Sequence, residues 1–146
     1  MVIGCDHGGF DLKEQIKEVL EKKGFSVEDM GAKDFNPEDD YPCYTSSVAR
    51  KVADGTFERG VVVCGSGIGA SITANRFAGV RAALCLTPEM ATLSRSHNDS
   101  NVLALGGRIT PGRKGIEILE AWLDGAFKGG RHERRIRDIE SCTGEC

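Results

Sequence analysis

Gly60-Val-Val-Val-Cys-Gly-Ser-Gly-Ile-Gly-Ala-Ser-Ile72 decides how the rest of the chain is read. Val61–Val63 is a β-branched run that ends on Cys64, and glycine then takes every second position at Gly65, Gly67 and Gly69. Such a run bounded by glycines is a buried strand followed by a tight turn. The apolar residues beyond it recur at helical spacing as far as Gly79, which predicts a helix. The free amides of its first turn, and the positive end of its dipole, favour an anion or a developing oxyanion beside the strand end. They also favour the thiolate form of a cysteine held there. A cysteine at a strand end equally fits plain packing, and the residues by themselves leave both readings open.

Two nucleotide motifs are excluded. Gly65-Ser-Gly-Ile-Gly-Ala70 misses the dinucleotide fingerprint, because Ala70 stands where its last glycine belongs. The stretch also lacks the Gly-Lys-Ser/Thr of a P-loop. A phosphatase built on a thiolate and a glycine loop would want an arginine at Ala70, and the nearest arginine is Arg76.

Outward from this stretch, strands and helices alternate. Val2–Cys5 is a strand, Asp6–Gly9 a loop, and Leu12, Ile16, Val19 and Leu20 one face of a helix. Asp11 with Glu14 is a candidate capping pair for that helix, and Gly24 its stop. A second strand is predicted over Phe25–Met30, a polar loop over Gly31–Pro42, and a helix over Tyr44–Ala53. Val80–Leu86 follows as a strand, Pro88–Ser96 as a helix, and Val102–Leu105 as the fifth strand, which runs into Gly106-Gly107-Arg108. Ile116, Leu119 and Leu123 mark another helix, and a basic one covers about 131–139, ahead of a polar tail at 140–146. The alternation predicts a parallel sheet covered on both faces, with ligands at the carboxyl ends of its strands. Asp6-His7, Cys64–Gly67, Gly106–Arg108, and His97 with Asn98 before the fifth strand are expected to converge at one sheet edge.

With 146 residues, the chain is expected to form one domain over 1–146. A net charge of −3 argues against general nucleic-acid binding. No run is long and apolar enough for a membrane span, and no leader is expected from Met1–Cys5 with Asp6 following. Of the six cysteines, Cys5, Cys64 and Cys85 sit in apolar runs as reduced thiols do. No Cys-x2-Cys pair is present, and Cys142 and Cys146 lie in a polar tail, so no metal site is expected. A reducing, cytoplasmic compartment follows from that usage.

Five stretches in order, Gly4–Lys13, Val63–Gly69, Gly79–Cys85, Ser94–Arg108 and Gly129–Arg137, closely resemble the type B ribose-5-phosphate isomerases and the wider ribose/galactose isomerase family. The resemblance spans nearly the whole chain. It implies a Rossmann-like three-layer α/β/α sandwich around a five-stranded parallel sheet. It further implies a homodimer or homotetramer with shared active sites, acting on a sugar phosphate in the pentose phosphate pathway without metal or organic cofactor. Cys64 would be the proton-shuttling base. Some members place serine there and a glutamate after the glycine turn, a position held here by Ala70.

By the same resemblance, the amides of Gly65, Gly67, Ile68 and Gly69 and the hydroxyl of Ser66 would hold the enediolate. Asp6 and His97 would open the sugar ring, with Asn98 and Tyr41 beside it. His7, Arg108, Arg131 and Arg135 would bind the phosphate, and His97, Asn98 and Arg108 would reach into a neighbouring subunit's site. A six-carbon aldose phosphate (allose 6-phosphate or galactose 6-phosphate) is the alternative substrate class. A non-enzymatic nucleotide-binding module is the alternative from another class.

Each residue also has a plainer reading. Asp6 could cap the first helix, Tyr41 could pack beside Pro42, and the arginine run could be a solvated face paired with Glu133, Asp138 and Glu140.

Overall fold

The computed structural model describes residues 1–141. Cys142 and Cys146, with most of the polar tail, lie outside the described residues. Five strands form one sheet in the order β2-β1-β3-β5-β4. They are β1 (Val2–Cys5), β2 (Glu28–Asp29), β3 (Gly60–Cys64), β4 (Ala82–Leu84) and β5 (Val102–Gly106), and every pairing is parallel. The helices are α1 (Phe10–Lys22), α2 (Tyr41–Ala53), α3 (Ile68–Ala74), α4 (Pro88–Asn98), α5 (Gly112–Asp124) and α6 (Arg131–Glu140). A 3-10 turn, His7–Gly9, joins β1 to α1.

The pleat of β3 explains the three layers. Val61 and Val63 face the core shared with α1 (Leu12, Ile16, Leu20) and α5 (Ile118, Leu119, Trp122). Val62 and Cys64 point to the other face, under α2 (Val48, Ala49, Val52) and α3 (Ala70, Ala74). All five residues of β3 are buried, as in a strand covered on both faces. At ~25 cal/mol per Å² of apolar surface, each such valine contributes ~1.5–3 kcal/mol.

Several predicted boundaries move. The second strand shrinks from Phe25–Met30 to Glu28–Asp29, because it pairs only with β1, at the sheet edge. Val80–Leu86 shortens to Ala82–Leu84, the segment that has a partner in β5. The helix predicted to run on to Gly79 stops at Ala74; Asn75 caps it, and its side chain bonds both ways to the main chain of Ala82. Helix α2 starts at Tyr41 rather than Tyr44, with Pro42 in its first turn. Asp11 and Glu14 form no capping box. Helix α1 begins at Phe10 on Gly9, and Glu14 instead meets the ammonium of Lys13 at 2.6 Å. Helix α4 continues past Ser96 to Asn98, so His97 and Asn98 are helical rather than part of a connection.

Candidate active site

The chain reverses its direction of travel across the sheet between β1 and β3, which are hydrogen-bonded neighbours. A crevice opens outside such a switch point at the carboxyl ends of the strands. Three loops meet there. The N–H of Gly107 donates to the carbonyl of Cys64 at 2.8 Å, and that of Arg108 to the carbonyl of Gly65 at 2.9 Å. Gly8 packs so closely on the second loop that a Cβ there would lie 2.8 Å from the nitrogen of Gly65. Glycine is required by this contact, not by flexibility.

The resulting cleft has a volume of about 640 Å³ and is lined by Asp6, His7, Tyr41, Cys64, Gly65, Ser66, Ile68, Gly69, Ile72, Arg108 and Ile109. At its floor is the sulfur of Cys64, which accepts the N–H of Gly67 at 3.1 Å. The contact aims a main-chain donor at the sulfur. It depends on Gly67, whose φ of +77° turns the chain back over the strand end. The main-chain N–H groups of Gly65 and Ser66 have no partner among the described residues. The hydroxyl of Ser66 accepts the N–H of Ile68 at 3.3 Å. The Tyr41 ring lies directly over Gly69, in the space a Cβ there would need.

Asp6 is 6% exposed, and its Oδ1 has no hydrogen-bond partner among the described residues. Burial pushes its carboxyl above the ordinary range; the charge of His7 and the amides of Gly8 and Gly9 oppose that push, and Asp39 adds to it. Asp6 opens the 3-10 turn without a full capping hydrogen bond from its side chain, although the amides of Gly8 and Gly9 face its carboxyl. A carboxyl and a thiol lining one cleft are suited to exchanging protons.

His7 extends the cleft outward. Its ring Nδ1 and its main-chain N–H both lie 2.8 Å from Oδ1 of Asp39. Ligand atoms of Asp6, His7 and Asp39 fall within 4.8 Å of one another, the one such grouping among the described residues that could hold a metal ion. Its imidazole, however, already donates to a carboxylate.

Four expected site residues lie elsewhere. His97 and Asn98 end α4, and β5 starts soon after at Val102, level with Gly60 at the foot of β3. They are therefore at the amino edge, roughly 13 Å of strand away from Cys64. A helix that leaves the carboxyl edge after β4 must return to the amino edge before β5 can begin, so the expected convergence fails within one chain. Asn98 lines a separate cleft of about 570 Å³ with Arg81 and Val80.

Helix α6 packs near α4, where the His97 ring stacks on His132 with centroids 4.3 Å apart. Burial, and then the positive charges of His97, Arg131, Arg135 and Lys128, hold His132 below the ordinary histidine range. Arg131 and Arg135 are exposed and make no ion pair among the described residues, whereas Arg137 pairs with Glu133 and Glu140 with Arg81. Arg108, expected to reach a neighbour, lies beside Gly65 of its own chain.

Sequence reasoning missed Asp39, Ile72 and Ile109. Nothing local links Asp39 to His7, because they meet only when the loop before α2 folds back over β1. Ile72 and Ile109 give no chemical signal, although both remain well exposed at the mouth of the cleft.

The fold and the cleft define a Rossmann-like α/β domain whose site gathers a thiol, a buried carboxyl and a free-amide loop at the strand ends. Residues 1–139 match the ribose/galactose isomerase family, and the chain belongs to it. It is 45% identical over 139 residues to ribose-5-phosphate isomerase B of Escherichia coli, covering 95% of this chain and 93% of that protein. The ribose-5-phosphate isomerase B structure from Clostridium thermocellum superposes with a TM-score of 0.93 at 45% identity, covering 95% of this chain and 93% of that one. That of Mycoplasma genitalium, solved with bound ribulose-5-phosphate, gives 0.92 at 40% identity, over 95% and 92% of the two chains.

Proposed function

We propose that this protein interconverts ribose 5-phosphate and ribulose 5-phosphate with Cys64 as the base. The observation that carries this is a thiol on the cleft floor, bonded by the Gly67 N–H and adjoining the free amides of Gly65 and Ser66. On the open-chain aldose, the thiolate takes the proton from C2. The C2–H pair forms the C1–C2 double bond while the C1 carbonyl oxygen takes up negative charge, giving an enediolate. The thiol then returns the proton to C1, and the proton on O2 moves to O1, so the ketose forms with no net gain or loss. Donors aimed at such an oxyanion are each worth ~3–4 kcal/mol of barrier.

His7 and Arg108 would take the phosphate from within the chain. Membership in the family, and the position of His97, Asn98, Arg131 and Arg135 at the opposite sheet edge, support a second copy that supplies them. Exposed Ile68, Ile72 and Ile109 at the cleft mouth, with Leu86, Met90 and Leu93 near the start of α4, offer apolar surface for that copy. In this reading the enzyme is a homodimer or homotetramer, works in the cytoplasm and needs no metal. No helix is long and apolar enough to cross a membrane among the described residues.

A coupled assay of the purified protein against a panel of aldose phosphates tests the reading. Ribose 5-phosphate is expected to turn over fastest. Faster turnover of allose 6-phosphate or galactose 6-phosphate would replace the pentose assignment. Tight AMP or NAD binding without any pentose phosphate binding would make the chain a binding module instead.

A further inference from the structure

We propose that Asp39 is a positioning residue that holds the His7 ring by Nδ1, leaving Nε2 free to receive the substrate's phosphate. The inference rests on the isomerase reading for the identity of the ligand, and on geometry for everything else. A carboxylate accepts and never donates, so the 2.8 Å approach of Nδ1 to Oδ1 means that Nδ1 carries the hydrogen. The same oxygen takes the main-chain N–H of His7, also at 2.8 Å. One atom thereby orients both the backbone and the ring of one residue. Phosphate oxygens accept, so with Nδ1 held by Asp39 the ring takes a phosphate by donating from Nε2 as well, as the imidazolium. Here Nε2 has no protein partner among the described residues, and His7 lines the cleft beside Arg108 and Cys64.

The surroundings support a built holder rather than a chance surface pair. The Asp39 side chain is only 6% exposed. Phe35, from the same loop, sets its ring edge-on to the imidazole at 6.0 Å and 82°. Two groups of the 31–40 segment thus grip His7 from separate directions. The other charged or titratable groups here are Asp6, preceding His7 on the 3-10 turn, Tyr41 and Tyr44 on α2, and Arg108 and Cys64 across the cleft. Burial, and then the nearby Asp39, push the Tyr44 phenol above its usual range, as expected of a phenol next to a charged carboxylate.

The test uses Asp39→Ala and Asp39→Asn. Because Oδ1 serves two donors, the amide oxygen of asparagine can take over both bonds, so Asp39→Asn should stay close to the parent protein. Asp39→Ala should raise KM for the sugar phosphate about tenfold with kcat within about twofold, the loss of one aligned charged contact. In the absence of substrate, nitrogen-15 NMR should show His7 with its hydrogen on Nδ1 in the parent and in Asp39→Asn. In Asp39→Ala the ring should shift to the Nε2–H form.

Inorganic phosphate, titrated by NMR, should bind more weakly to Asp39→Ala alone. These readouts need no turnover, so they judge Asp39 even if no pentose phosphate is isomerised. In a His7→Ala background, Asp39→Ala should cost nothing further in KM or phosphate affinity. An unchanged His7 tautomer in Asp39→Ala, or an equal loss of affinity with His7 already removed, would overturn the proposal.

Discussion

Cys5, Cys64 and Cys85 are three buried thiols of one sheet and its edges, and they differ in what surrounds the sulfur. Burial pushes the Cys5 thiol up to about 12 and the Cys85 thiol up to about 11, leaving both inert near neutral pH. Cys64 alone of the three lines the cleft, and a main-chain N–H bonds its sulfur. Cys64→Ala should lower kcat by at least about 10²–10⁴-fold, the usual contribution of a general base, while phosphate affinity stays at the parent value. Near-normal turnover in that variant would remove the cysteine from the mechanism. The special standing of Cys64 was legible in sequence, since a strand run, a cysteine and alternating glycines are all local. The Asp39–His7 contact was not, because the two residues lie 32 apart in the chain.

At the scale of elements, the loops are held by a few groups with long reach. The fully buried ammonium of Lys13 on α1 meets Asp29 of β2 at 2.8 Å and the carbonyl of Ala32 at 2.9 Å. This anchors a strand of only two residues, Glu28–Asp29, and starts the 31–40 segment that carries Asp39. Burial acts to raise the Asp29 carboxyl, but Lys13, the Gly31 N–H and Lys17 outweigh it and hold it below the ordinary range. A depressed acid stabilises the fold above its unfolded value of ~3.9, and that stability is lost as pH falls through the folded value.

For Lys13, burial likewise acts downward, but Asp29 and Glu14 hold it above its usual value. Its share of stability is present below ~10.4 and is lost as pH rises through the folded value. Asp29→Asn should therefore cost about 3 kcal/mol at neutral pH, read from urea midpoints, and flatten the acid limb of the stability profile. An unaltered acid limb would mean the pair is incidental. Gly67→Ala should cost ~1–3 kcal/mol, because φ of +77° disfavours a side chain and its Cβ would lie 2.8 Å from the carbonyl carbon of Leu105. Denaturant unfolding checks it, and a loss below ~0.5 kcal/mol would show that the turn relaxes freely.

For the molecule as a whole, the residues of the proposed site fall at opposite sheet edges. Cys64, Asp6, His7 and Arg108 are at the carboxyl ends, and His97, Asn98, Arg131 and Arg135 are near the amino ends. Co-expressing Cys64→Ala with an Arg131→Ala/Arg135→Ala chain should restore about a quarter of parental activity, since mixed dimers would carry one intact shared site each. Inactive mixtures would mean that the arginines do not serve a neighbour. The parallel sheet, its two covered faces and the glycine turn after β3 were determined by the sequence alone, because periodicity and turn chemistry act over a few neighbouring residues. Which loops share a cleft was decided only by the tertiary structure. The end of α4 looks close to the site along the chain, yet a crossover helix must carry it to the far edge of the sheet, and Asp39 reaches His7 only through a fold-back that no local pattern encodes.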